Sequence, residues 1–124
     1  TLTAPDELKM PQEYKDFLDS KGIPYRETKE LEGNINECDI LYMTRVQQER
    51  FTDPMEYEKV KNTYNLTASM LGQAKPNMKI LHPLPRVTEI AQDVDDTPHA
   101  YYFKQAENAV YVRMAIIAYL LGYK

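Results

Sequence analysis

Two short apolar runs, at residues 40–44 and 78–82, constrain the fold of this chain more than any other feature of its sequence. The first run has the length and apolar character of a strand that is buried on both faces of a sheet, and the second run also has the pattern of a strand. The residues between them carry two patterns typical of helices, at 54–64 and 68–74. Because strands that alternate with helices at this spacing pair in parallel, we predict an α/β fold with three layers, αβα, and a mainly parallel sheet.

The flanking segments fit the same architecture. Helical periodicity predicts a first helix at 11–21, stopped by Gly22, and one long helix over about 100–122, with a break near Asn108. Alternation indicates a strand at 23–28, and a short, weak helix should follow near 31–35. Residues 87–98 contain four acidic side chains and Pro98, which predicts an irregular and exposed segment.

The polar residues that follow the first apolar run are the first candidate site. Open α/β sheets place ligand-binding groups just past the carboxyl ends of their strands. Arg45 stands one residue beyond the run, where its guanidinium could grip a carboxylate through two parallel hydrogen bonds. Gln47 adds a neutral donor and acceptor that could orient the same ligand. The alternative interpretation is a solvated, charged loop.

The sequence His82–Pro83–Leu84–Pro85 is the second candidate site. A cis X–Pro bond costs little and can present main-chain carbonyl groups in directions that a trans chain does not reach. The alternative interpretation is a rigid turn after a strand. We interpret His82 as structural, because the sequence shows no partner that would make it a general base.

Composition narrows the class of protein. The net charge of −4 and the pI near 5.2 argue against a nucleic-acid surface. The longest apolar run, at 114–121, is too short for a membrane span, which needs about 18 residues. A single cysteine, Cys38, and two histidines make neither an internal disulfide nor a metal site, so we expect a reduced, cytoplasmic setting.

The motifs TRVQ-x-ER, at 44–50, and LHPLPR, at 81–86, together resemble the aspartate carbamoyltransferase family. The resemblance runs along the whole chain and points to the C-terminal, aspartate-binding half of the catalytic chain. It implies a Rossmann-like aspartate/ornithine-binding domain over residues 1–124 that is incomplete at its N-terminal edge. Ornithine-specific relatives carry an HCLP-type proline loop, so HPLP favours aspartate as the acceptor.

The same resemblance implies roles for particular residues. Residues matching Arg45 and Gln47 bind the carboxylates of L-aspartate in the family. Main-chain carbonyls matching Pro83 and Leu84 accept hydrogen bonds from substrate amines, and the bond from Leu84 to Pro85 is cis.

Two charged residues have supporting roles in the resembling family. The acid matching Glu49 orients the arginine, and Arg50 matches a charged position at contacts between domains or subunits. The alternative interpretation of Glu49 is an exposed acid on a mobile loop. The alternative interpretation of Arg50 is a simple surface charge. The resemblance assigns no catalytic residue, metal ligand or cofactor to this chain.

The activity implied is carbamoyl transfer from carbamoyl phosphate to L-aspartate, in pyrimidine biosynthesis, by a homotrimer of catalytic chains that could also bind regulatory subunits. The carbamoyl-phosphate-binding half, with its Ser-Thr-Arg-Thr loop and catalytic histidine, is absent from these residues. We therefore expect the chain to be inactive alone and the apolar tract at 109–123 to pack on that other half. The alternatives are a non-catalytic assembly or regulatory module and a transcarbamylase for another amino acid.

Overall fold

The computed structural model describes residues 1–123, apart from the side chain of Arg50. Four short strands are present: β1 (Leu2–Thr3), β2 (Glu27–Thr28), β3 (Ile40–Tyr42) and β4 (Lys79–Leu81). Three α-helices accompany them: α1 (Gln12–Ser20), α2 (Pro54–Val60) and α3 (Tyr102–Leu120). Short 3₁₀ helices cover Asp6–Leu8, Glu32–Glu37, Gln48–Arg50, Ala68–Gln73 and Gln92–Val94.

The described strands form two parallel pairs. β1 pairs with β2, and β3 pairs with β4 in a register that places Leu41 opposite Ile80. The second pair is extended past its strand ends, because the Met43 N–H donates to the Leu81 carbonyl at 2.9 Å. The alternation of parallel strands with helices confirms the predicted α/β class.

Local signals set the ends of the helices. α1 lies within the predicted 11–21, and α3 runs through Asn108 without the predicted break. α2 begins where the Asp53 carboxylate accepts a hydrogen bond from the Met55 N–H at 2.8 Å, as an N-cap does. It ends at Val60 rather than at 64, because the Thr63 N–H and hydroxyl both bond back to the Val60 carbonyl. The predicted strand at 23–28 is reduced to β2.

The hydrophobic core lies between β4 and the segments that follow α2. It contains Leu31, Ile35, Met43, Leu66, Leu71, Met78, Ile80, Ile90, Val94 and Tyr102. The prediction that 87–98 is exposed is wrong, because this segment supplies Ile90 and Val94 to the core. Hydrogen bonds from the Leu66 N–H to the Glu89 carbonyl and from the Ala91 N–H to the Leu66 carbonyl hold it there, both at 2.9 Å.

Two apolar elements remain open to solvent in the described chain. The prediction that β3 is buried on both faces is wrong here, since Ile40 and Tyr42 are 54% and 55% exposed. In α3 only Tyr102 is buried. The helix therefore does not thread this core, although its second half is apolar on nearly all sides, apart from Arg113. None of the helices in residues 1–123 combines the length and apolar character that crossing a membrane requires.

Candidate functional site

The two predicted sites line one cleft. β3 and β4 are parallel neighbours, so the loops after their carboxyl ends emerge on the same edge of the sheet. A single cleft of ≈ 1340 Å³ runs past both loops and extends to residues within segments 1–8 and 26–38. Its lining includes Arg45, Gln47, Pro83, Leu84 and Pro85. The structure thus brings together residues that are separated by almost 40 positions in the sequence.

Arg45 is held in place by the acid four residues later. Its two terminal nitrogens donate to the two carboxylate oxygens of Glu49, at 2.5 and 3.3 Å. This contact, and more weakly the negative charge of Glu89, raises the pKa of Arg45 above its ordinary value. The guanidinium is therefore charged at every physiological pH and already oriented at the cleft. The side chain of Arg50, which matches a charged position at contacts between domains or subunits in the resembling family, lies outside the described part of the structure.

Gln47 offers an amide to the cleft. It is half-buried, and its side chain has no hydrogen-bond partner among the described residues. An amide in this setting is available both as a donor and as an acceptor for a ligand.

The proline loop has an unusual backbone. The Leu84–Pro85 bond is cis, as the resemblance predicted, and Leu84 has a φ of 51°. Only a few per cent of residues other than glycine adopt this left-handed region. Within residues 1–123 no N–H or O–H group donates to the carbonyl oxygens of Pro83 or Leu84. Both oxygens can therefore accept a hydrogen bond from a ligand.

His82 has a partner that sequence reasoning missed. Its Nε2 lies 2.7 Å from Oε1 of Glu89, and both side chains are buried, at 1% and 6% exposure. The second Glu89 oxygen accepts hydrogen bonds from the N–H groups of Val87 and Thr88, each at 3.1 Å. No spacing in the sequence signals this contact, because Glu89 stands in an acidic segment that looks exposed.

A second missed residue, Gln105 in α3, links the two strands of the site. Its Oε1 accepts a hydrogen bond from the His82 main-chain N–H at 2.9 Å. Its Nε2 donates to the Tyr42 hydroxyl at 3.2 Å. Gln105 therefore ties the start of the proline loop to the end of β3.

The far end of the proline loop is anchored by a cluster of three side chains. Arg86 donates to both carboxylate oxygens of Asp95, one of them at 2.5 Å, and to the Tyr102 hydroxyl at 3.1 Å. The Tyr102 hydroxyl itself donates to Asp95. Contact with Arg86 lowers the pKa of Asp95. Burial, together with the hydrogen bond to Asp95, raises the pKa of Tyr102 to about 12.

Tyr102 should make the fold sensitive to alkaline pH. An unfolded tyrosine ionises near pH 10, whereas folded Tyr102 keeps its proton to about pH 12. Between these values the unfolded chain alone loses the proton, so the free energy of unfolding falls as pH rises, by up to about 2–3 kcal/mol. Urea unfolding from pH 9 to 11.5 measures this fall. The Tyr102→Phe variant should show a shallower fall, and equal slopes for the two proteins would contradict the assignment.

Metal-ligating side chains and the single cysteine are two further candidates for chemistry. Among the described residues, no group of three His, Cys, Asp or Glu side chains could hold a metal ion. Cys38 is free and half-buried, and its Sγ contacts the Asn34 carbonyl at 3.3 Å. The site therefore offers one charged fork, one amide and two free carbonyls.

Known proteins share both this sequence and this structure. Residues 1–120 match the Asp/Orn binding domain of the aspartate/ornithine carbamoyltransferases. Aspartate carbamoyltransferase catalytic subunits of Bacteroides fragilis and Methanosarcina mazei are 59% and 54% identical, over 96% and 98% of this chain. The catalytic subunit of M. jannaschii aspartate transcarbamoylase superposes with a TM-score of 0.84 at 43% identity, over 97% of this chain.

A more distant structure was solved with ligands. Aspartate transcarbamoylase from Trypanosoma cruzi, in complex with carbamoyl phosphate and aspartate, superposes with a TM-score of 0.80 at 34% identity. The match covers 94% of this chain and 39% of that one. The chain also spans only 39–40% of the length of the two bacterial and archaeal catalytic subunits.

Proposed function

Because the chain belongs to the aspartate/ornithine carbamoyltransferase family, through its Asp/Orn-binding domain, we propose that it supplies the aspartate-binding part of an aspartate carbamoyltransferase. The reaction joins the carbamoyl group of carbamoyl phosphate to the amine of L-aspartate and releases phosphate. Its product, N-carbamoyl-L-aspartate, is a precursor of pyrimidines. Residues 1–124 form the aspartate-binding domain, and the carbamoyl-phosphate-binding part lies elsewhere in the enzyme.

One observation carries the proposal. Arg45, which is charged and held by Glu49, lines the same cleft as Pro83 and Leu84, whose main-chain carbonyls accept no hydrogen bond from the described residues. L-Aspartate presents two carboxylates and one amine, so its groups are complementary to this set. Arg45 binds a carboxylate through paired hydrogen bonds, and Gln47 orients the ligand. The carbonyl oxygens of Pro83 and Leu84 accept the hydrogens of the amine.

These contacts favour the reaction by positioning. The amine must be neutral and aligned with the carbamoyl carbon before it can attack. Carbonyl acceptors direct its hydrogens and leave its lone pair aimed at the second substrate. The guanidinium also balances the charge that accumulates when dianionic aspartate binds beside a phosphorylated anion. In this proposal Glu49 holds Arg45 ready, and Pro85 fixes the direction of the Leu84 carbonyl.

The sequence of the proline loop supports aspartate over ornithine as the acceptor. The loop reads HPLP, and relatives named aspartate carbamoyltransferase are 59% identical to this chain. The Trypanosoma cruzi relative binds carbamoyl phosphate and aspartate together, which supports the same pair of substrates here. We further propose a cytoplasmic enzyme that assembles as a homotrimer of catalytic chains and is able to bind regulatory subunits.

The test is a substrate panel on the longest natural polypeptide that contains this sequence. Carbamoyl phosphate should react with L-aspartate, and ornithine should give no product above the background rate. Turnover with a different amino acid, and not with aspartate, would show that the enzyme is a transcarbamylase for that amino acid. A polypeptide that contains the carbamoyl-phosphate-binding part and still transfers no carbamoyl group would favour a non-catalytic assembly or regulatory module.

A further inference from the structure

We propose that Glu89 is a positioning residue of the substrate site, which acts through the His82 ring to hold Leu84 in its left-handed conformation and so to aim the carbonyls of the proline loop. The inference rests on the proposed function, because the amine of the substrate is what those carbonyls would bind. Neither Glu89 nor His82 touches the substrate in this arrangement.

The first step is the contact between the His82 ring and the loop. The Leu84 N–H donates to Nδ1 of His82 at 2.8 Å. This bond spans two residues, as in the turns that Asn and Asp side chains make with their own backbone. Leu84 is the residue with a φ of 51°, and prolines stand on both sides of it. Its N–H is therefore the one main-chain donor between His82 and Arg86 that a side chain can use to hold the loop.

The second step is the proton on the ring. Because Nδ1 accepts a hydrogen bond, it carries no proton, and Nε2 must be the protonated nitrogen of a neutral ring. Nε2 points at the Glu89 carboxylate, 2.7 Å away, which is an acceptor. Glu89 thus selects the tautomer that leaves Nδ1 free for Leu84.

The third step is the fixing of Glu89 itself. Its second oxygen accepts the N–H groups of Val87 and Thr88, so the carboxylate is oriented from both sides. Its main-chain carbonyl is bound by Leu66 of the core. The position of the substrate-facing carbonyls is therefore set from the hydrophobic core, through Glu89 and His82.

This chain of contacts makes a carboxylate necessary. The Glu89→Gln side chain has one acceptor and one donor group, while the site presents donors on both sides. If the amide oxygen faces Val87 and Thr88, the amide N–H₂ requires the other His82 tautomer, whose Nδ1–H opposes the Leu84 N–H. If the oxygen faces His82, the N–H₂ opposes the two main-chain donors. Either orientation breaks one link.

The experiment compares Glu89→Gln with two His82 variants in the longest natural polypeptide. The His82→Asn side chain keeps an acceptor near the position of Nδ1, able to bond Leu84 as an Asx turn, but loses the group that meets Glu89. The His82→Gln side chain reaches Glu89 but cannot accept the Leu84 N–H. His99→Gln is the matched control, since His99 is also buried, and its Nδ1 bonds the Met78 carbonyl away from the loop.

We expect Glu89→Gln and His82→Gln to raise the KM for aspartate at least about tenfold. This is the change in affinity expected when one hydrogen bond to a charged group is lost. His82→Asn should keep the KM within about threefold of the wild type, because Leu84 keeps an acceptor. Its thermal midpoint should fall, because Oε1 of Glu89 is left buried without a hydrogen-bond partner. If Glu89 and His82 contributed only to stability, the KM for aspartate would rise more in His82→Asn than in His82→Gln.

Amide hydrogen exchange at Leu84 gives a readout that does not depend on activity. Exchange should accelerate at least about tenfold in Glu89→Gln and His82→Gln, and stay near the wild-type rate in His82→Asn and His99→Gln. A wild type that forms no carbamoyl-aspartate contradicts the proposed function, while this exchange still tests the loop.

Three results would overturn the proposal: a KM in Glu89→Gln no higher than in His99→Gln, equal effects of the two His82 variants, or failure of both His82 variants to fold. If Glu89→Gln alone fails to fold, the KM and the Leu84 exchange rate of the two His82 variants test the proposal.

Discussion

Replacing Arg45 by alanine should reduce kcat/KM for aspartate by ~10²–10⁴ in the longest natural polypeptide that contains this sequence. Arg45 offers two parallel N–H groups to a carboxylate, and each charge-assisted hydrogen bond is worth about 1.5–3 kcal/mol. Since each 1.4 kcal/mol changes a rate about tenfold, the loss of both bonds gives this range. Steady-state kinetics with saturating carbamoyl phosphate measures it.

Two further variants separate charge from geometry at Arg45. Arg45→Lys keeps the charge but lacks the planar fork, so its loss should be smaller than that of Arg45→Ala and still clear. Lys21→Ala is the control, because it also removes one positive charge, from an exposed position at the C-terminal end of α1. Equal activity of Arg45→Ala and Lys21→Ala would mean that the carboxylate is bound elsewhere in the cleft.

Replacing Ile80 by alanine should destabilise the fold by about 2–5 kcal/mol, the usual cost of truncating a fully buried isoleucine. Ile80 has no exposed surface and lies in the middle of β4, paired with Leu41 on one side and bridged to Ala100 on the other. Domains of this size are stable by only about 5–15 kcal/mol, so the variant should unfold at much lower urea concentration.

The matched comparison is Ile23→Ala, because Ile23 is 47% exposed and lies outside the core. Its midpoint of urea unfolding should stay close to that of the wild type. Similar midpoints for the two isoleucine variants would show that the core is not centred on β4.

Local features of the fold were predictable because their causes are adjacent in the sequence. Asp53 followed by Pro54 is an N-cap with a proline at the first helical position, and α2 begins there. The apolar runs at 40–44 and 78–82 contain β3 and β4, which pair in parallel. The two loops that follow these strands were predicted as two candidate sites, and the structure shows that both line one cleft.

Contacts between distant segments could not be predicted in this way. The pairing of His82 with Glu89 depends on the hydrogen bonds that draw residues 87–98 onto Leu66, and no periodicity marks them. The same segment contains four acidic residues, so its composition indicated exposure although Ile90 and Val94 are buried.

The sequence by itself determined which polar groups follow the two strands, because Arg45, Gln47 and the proline loop are a matter of residue type and order. It also determined the α/β class, through strands and helices that depend on neighbouring residues. The tertiary structure alone decided that Glu89 holds His82 and which apolar surfaces are covered. The physical reason is that a buried hydrogen bond or a packed side chain depends on what lies across space, whereas caps, turns and periodicities depend on what lies nearby in the chain.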